Sequence, residues 1–165
     1  EVWSLLALGL DSVAIAGQAL IAKFLGASQV GTAKAVSRRM IGLSIQIGCV
    51  GGAVLLAARS PIAKLFTNDV AVAELAGFLL IFVALTQPLN ALVFGIDGIL
   101  IGAGDLRFLA WAMISTFAGY AGIALATANF GMGWLWACLV ALMIFRGGAV
   151  WARFTQGGWI RVGAD

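Results

Sequence analysis

Apolar stretches of about twenty residues alternate along the chain with short segments that hold most of its charge. A bilayer core needs about 20 consecutive mostly apolar residues in helical form. The pattern therefore predicts an all-α fold, a polytopic membrane helix bundle with transmembrane helices at about 2–22, 40–58, 72–102, 108–127 and 132–152. The first carries Asp11 alone, and the second and fourth carry no charge. The third is uncharged from Leu75 to Ile96 and then continues through Asp97, and the fifth holds only Arg146. Gly48 and Gly52, and Gly98 and Gly102, have the small-xxx-small spacing that lets helix backbones approach closely.

Composition fits this class: 62% of residues are hydrophobic and 10% charged, against roughly 25% charged in soluble domains. Basic residues set the orientation, because loops rich in Lys and Arg stay on the cytoplasmic side. Lys23, Lys34, Arg38, Arg39, Arg107, Arg146, Arg153 and Arg161 fall toward one side, against Arg59 and Lys64 on the other. The first and third connections and the C-terminus are therefore expected to face the cytoplasm.

Several chemistries fall away. The chain has no histidine, so neither a Ser-His-Asp triad nor a histidine-ligated metal site can be built from it. Cys49 and Cys138 both lie within apolar runs and read as buried free thiols. The net charge of +3 reflects basic loops beside a lipid bilayer, the expected surrounding partner, and gives no case for nucleic acid. The first run lacks the basic start and cleavage signature of a signal peptide. Because Glu1 stands where Met would, and a membrane run follows at Val2, residue 1 reads as a cut inside a larger protein.

The candidate chemistry lies in the intramembrane acids. Asp11 is 12 residues from Lys23, roughly 18 Å along a helix, and Asp97 lies roughly 15 Å before Arg107. Both are deep in a core about 30 Å thick. Gln87, Asn90, Phe94 and Asp97 share one helical face at steps of three, four and three, and Pro88 among them removes a donor from the carbonyl of Ala84. Ser4, Asp11 and Gln18 repeat every seven residues on the first helix. Such stripes can simply bond helix to helix, with Arg146 as a partner for one acid or reaching the interface along its stem. Ionisable groups are rare inside membranes, which favours a cavity role for both acids. A carboxylate there can hold a proton and exchange it for a cation, the chemistry of a coupled antiporter.

Three segments resemble multidrug and toxic compound extrusion (MATE) transporters, in particular their DinF-like branch. "LDSVAIAGQALIAKFLGAS" is similar to the eighth helix and following loop of that family, "SPIAKLFTNDVAV" to the external segment after the ninth, and "PLNALVFGIDGILIGAGDLRFLAWAM" to the tenth helix and its turn into the eleventh. The resemblance covers nearly the whole chain. It implies that residues 1–165 form the C-terminal lobe, with helices eight to twelve of twelve, and that the partner is a missing N-terminal lobe of the same chain. It also implies secondary active efflux of cationic or amphipathic compounds in exchange for H+ or Na+, by alternating access in a bacterial plasma (inner) membrane. Asp97 stands at the tenth-helix cavity carboxylate of sodium-linked members and Asp11 at an eighth-helix acid. Asn90, Gln87 and Gln18 are candidate binding neighbours, and Pro88 a helix kink. No cofactor beyond the coupling ion and no metal are expected.

Other functions are compatible with parts of the pattern. A flippase for lipid-linked sugars would favour a basic cavity, whereas the deep charges here are acids. "GAGD", Gly102 to Asp105, fits the GxGD pattern of intramembrane aspartyl proteases, which share a proton between two acids. Against that enzyme, Asp105 reads as a loop residue near Arg107, Asp11 follows Leu in place of Tyr, and no PAL motif follows. A buried Asp105 would favour the protease and an edge position the transporter. A noncatalytic subunit of a membrane complex is the third alternative. Trp111, Trp134, Trp136, Trp151 and Trp159 read as interface anchors and packing.

Overall fold

The structure, a computed structural model, describes residues 2–126 and 131–160. Its five helices, in chain order, are α1 (Val2–Gly26), α2 (Val30–Phe66), α3 (Val70–Gly102), α4 (Leu106–Ala126) and α5 (Met132–Thr155). All five are long and apolar enough to cross a membrane, and the chain is a multi-pass membrane protein. Glu1, Arg161 and Thr127, the predicted end of the fourth helix, lie outside the described residues.

The second run corrects the sequence reading most. It was expected at 40–58, yet α2 has 37 residues, roughly 55 Å of helix and well over the thickness of the hydrocarbon core. Lys34, Arg38 and Arg39 are helical, and the first connection shrinks to Ala27–Gln29, with Ser28 in the left-handed region at φ 58°. Hydropathy marks where lipid begins. Nothing stops helical hydrogen bonding there, and Lys and Arg are good helix formers. Opposite, α3 starts on a polar cap, where the Asp69 carboxylate accepts from the backbone N–H groups of Ala71 (2.9 Å) and Val72 (3.3 Å).

Helix α3 is the centre of the bundle: α1, α2 and α5 pack around it, while α4 rests mainly on α5. Ile21 and Leu25 of α1, Met40 and Ile41 of α2, Val93, Ile96, Ile99 and Leu100 of α3, and Val150 of α5 form one buried cluster with Trp159. Lipid is as apolar as leucine, so close backbone approach matters more here than burial alone. Both predicted glycine pairs supply it. A methyl group on Gly98 would lie 2.5 Å from the Ala14 carbonyl oxygen, and one on Gly102 2.5 Å from that of Gln18, so these two seat α1. Gly48 and Gly52 seat α3 in the same way: a methyl group on them would lie 2.7 and 2.5 Å from the Gln87 and Ala84 carbonyl oxygens. Helix α3 runs unbroken through Pro88. The Ala84 carbonyl, deprived of a donor by Pro88, is turned against Gly52 of α2.

Outward faces are apolar: Leu8, Val54, Leu85, Phe117 and Leu125 are exposed, as a surface in contact with lipid requires. Cys138 is buried as expected, whereas Cys49 is exposed on α2, and both are free thiols. Cys49 sits beside Gly48 on a helix whose buried row is Ser44, Gly48, Gly52 and Leu55, so it turns away from α3.

Candidate functional site

The polar stripe of α3 is set into the bundle by the three helices around it. Gln87 and Asn90 are buried, at 2% and 4% exposure, and with Phe94 they meet Ala7 and Leu10 of α1 in a tight crevice. Next to it a cavity of about 320 Å³ opens between α1, α3 and α5. Ser4, Thr86, Asn90, Trp136 and Met143 stand on its walls. Trp136, read from the sequence as an anchor or packing residue, therefore faces a cavity, and Trp159 is fully packed at 2% exposure. The Thr86 hydroxyl is engaged locally, donating to the carbonyls of Phe82 (2.8 Å) and Val83 (3.1 Å).

Two turns along the same face lies Asp97. Its Oδ2 accepts from Nη2 of Arg146 on α5, and each side chain is 15% exposed. The sequence left Arg146 open between pairing with an acid and reaching the interface, and the structure pairs it. The other oxygen, Oδ1, is buried and has no hydrogen-bond partner among the described residues, as is Oδ1 of Asn90. Buried polar atoms are normally satisfied; these two acceptors share one face of α3, and Ser44 Oγ of α2 is likewise buried without a partner among the described residues.

Asp11 does not join them. The buried row of α1 is Leu10, Ala14, Gly17, Ile21 and Leu25, and Asp11 stands on the exposed side of the helix. The expectation that both acids face the interior fails for Asp11 within these five helices. Its heptad of Ser4, Asp11 and Gln18 is rotated by about 100° from the packed row, one residue step of a helix. Gln18 is half-buried, and its backbone carbonyl is the part that meets Gly102.

A second acid pair went unforeseen. Asp105 lies in the turn between α3 and α4, as its loop reading implies, and is nonetheless packed there at 1% exposure. Arg153 donates from Nε to its Oδ2 at 2.7 Å and lies over the Phe108 ring at 5.2 Å. Depth therefore cannot discriminate between protease and transporter. Pairing does: two acids that share one proton must face each other, and here Asp97 and Asp105 are each held by their own arginine while Asp11 stands on the exposed side of α1. The spacing was legible in principle, since the acids are eight residues apart and Arg146 and Arg153 seven.

Comparison with known proteins decides the family. The MatE family model matches residues 1–129. The chain belongs to the MatE family. Protein DETOXIFICATION 44, chloroplastic, of Arabidopsis thaliana is 32% identical over 147 residues, covering 88% of this chain and 28% of that protein. Protein DETOXIFICATION 43 of the same plant is 30% identical over 162 residues, covering 95% and 30%. The probable multidrug resistance protein NorM of Geobacillus kaustophilus is 30% identical over 144 residues, covering 80% and 31%. This MatE chain thus spans less than a third of the length of these curated relatives. No solved structure matches it at a significant level. MatE proteins are transporters and not enzymes, which removes the aspartyl-protease reading.

Proposed function

We propose that this MatE chain is the C-terminal lobe of a secondary active efflux transporter that exports cationic or amphipathic compounds in exchange for H+ or Na+. Asp97 is the carboxylate that holds the exchanged cation. The observation that carries this reading is the unequal use of its two oxygens. Oδ2 is engaged by Arg146, while Oδ1 is buried and has no partner among the described residues. Arg146 keeps the carboxylate compensated in a medium where an unpaired charge is very costly. An arriving cation gains Oδ1 and competes with the guanidinium for Oδ2. Because Asp97 belongs to α3 and Arg146 to α5, the exchange weakens a contact between two helices, which gives cation uptake a mechanical consequence. Alternating access requires such a coupling, since a ligand moves an equilibrium only through differential interaction with its states.

The cavity beside Asn90 suits the cargo. Its walls are mostly apolar with a few polar groups, the usual composition of a small-molecule site, and Trp136 offers an aromatic face to a cationic centre. The exposed side of α1 that carries Asp11 is the surface we assign to the N-terminal lobe. The end of the bundle bearing Lys34, Arg38, Arg107 and Arg153 is the cytoplasmic one, which puts the C-terminus on that side of a plasma membrane. The test is Asp97→Asn in the native protein, with drug resistance of the host cells and membrane abundance measured together. Resistance per amount of protein in the membrane should vanish; full resistance at equal abundance would sink the assignment.

A further inference from the structure

At the basic end of the bundle, the unexpected start of α2 builds a second recess, distinct from the cation site. Lys34, Arg38 and Ile41 follow one another at steps of four and three and line one wall of a groove of about 570 Å³. Since α2 already begins at Val30, the two cations stand on a formed helix and not on a loop. The opposite wall is the last turn of α5 and the turn after it, with Trp151, Phe154 and Trp159.

That wall is rigid. Gly157, at φ 72°, lets the chain turn back. Trp159 then stacks on Phe154 at 5.6 Å and 11°, and donates from Nε1 to the Phe154 carbonyl at 3.0 Å. Trp151 is left 44% exposed beside it. Among the described residues no acid lines the groove, and neither Lys34 nor Arg38 has an ion-pair partner. Among the described residues the acid at this end of the bundle, Asp105, is 1% exposed and already taken by Arg153.

We propose that this groove binds the phosphate headgroup of an anionic phospholipid, with Lys34 and Arg38 on the phosphate and Ile41, Trp151 and Phe154 along the start of the acyl chains. Two unpaired cations over an aromatic floor, at the level where spanning helices leave the bilayer, match a ligand that is anionic at one end and apolar at the other. The ammonium of a zwitterionic lipid would meet two like charges there, so the groove discriminates by net headgroup charge. Each cation near a membrane surface contributes on the order of a factor of five, and the two together about 30-fold.

The test is titration of the full native protein in neutral detergent with phosphatidylglycerol, phosphatidylcholine and inorganic phosphate, with bound lipid read by native mass spectrometry. Phosphatidylglycerol should stay bound where phosphatidylcholine does not. The double variant K34Q/R38Q should bind it roughly 30-fold more weakly. The variant R59Q/K64Q, which removes equal charge at the opposite end, should bind it as the parent does. Both pairs are exposed, so folding is spared. Equal retention of the two lipids, an unaffected K34Q/R38Q, or an equal loss in R59Q/K64Q would overturn the proposal. So would displacement of phosphatidylglycerol by millimolar inorganic phosphate, which would mark a site for the free anion. None of these readouts involves transport, so the groove and the cation site stand or fall separately.

Discussion

The pair of Asp97 and Arg146 makes a quantitative demand on stability as well as on transport. With each side chain 15% exposed, removal of either partner leaves the other charged and mostly out of water. Breaking a buried pair in this way costs about 3–5 kcal/mol, whereas replacing both partners by neutral groups is often close to neutral. The residual exposure and the moderate strength of polar contacts between membrane helices argue for the lower figure. Asp97→Asn and Arg146→Gln should therefore each cost about 3 kcal/mol, a loss of over 100-fold in the folded ratio. The double variant, whose two amides can still bond each other, should come back to within about 1 kcal/mol of the parent. Equilibrium unfolding of the native protein in mixed micelles, followed by tryptophan fluorescence, gives all four free energies. If the double variant loses as much as the two single variants added together, α3 and α5 are not coupled through this pair and the competition proposed for Asp97 has no basis. The swapped pair, D97R with R146D, separates the two roles: it should recover stability and still fail to confer resistance.

Four further substitutions test the packing and the second ion pair. Gly98→Val should cost about 1–3 kcal/mol, since even its Cβ would meet the Ala14 carbonyl oxygen at 2.5 Å and the Ala14 Cα at 3.0 Å; Gly119→Ala, with nothing within 4 Å, should be neutral or gain up to about 1 kcal/mol of helix propensity. The same unfolding assay reads both, and equal effects would refute the close approach of α1 to α3. Arg153→Ala removes the guanidinium from Asp105 and the cation from Phe108, so a loss of up to about 3 kcal/mol is expected. Arg153→Lys should restore only part of it, because the contact to Asp105 is made by Nε, an atom lysine lacks at that position.

What the sequence could reveal was decided by the solvent. The five spans were legible because lipid imposes a minimum apolar length, and for the same reason the true ends of α2 were not: beyond the lipid boundary, hydropathy carries no information about where hydrogen bonding stops. The glycine pairs were legible because close approach is the one packing device that leaves a mark in an apolar helix. Depth along the helix axis was legible too, which is how Asp97 stood out from the chain. Rotation about that axis was not. In a soluble helix the polar face reveals which side is buried, but on α1 the packed Leu10, Ala14 and Ile21 are no more apolar than the exposed Leu8 and Ile15, so nothing showed that Asp11 lay off the buried row. On α3 four polar or aromatic positions fixed one face, and that face does point into the bundle. The register between α3 and α5 was hidden for a further reason, since a lone arginine names no partner until a second pair fixes the offset. Arg153 on Asp105 supplies it: one turn-closing contact at the basic end sets the height at which Arg146 arrives beside Asp97. The turn-closing pair at the basic end thus fixes the register of the pair deeper in the bundle.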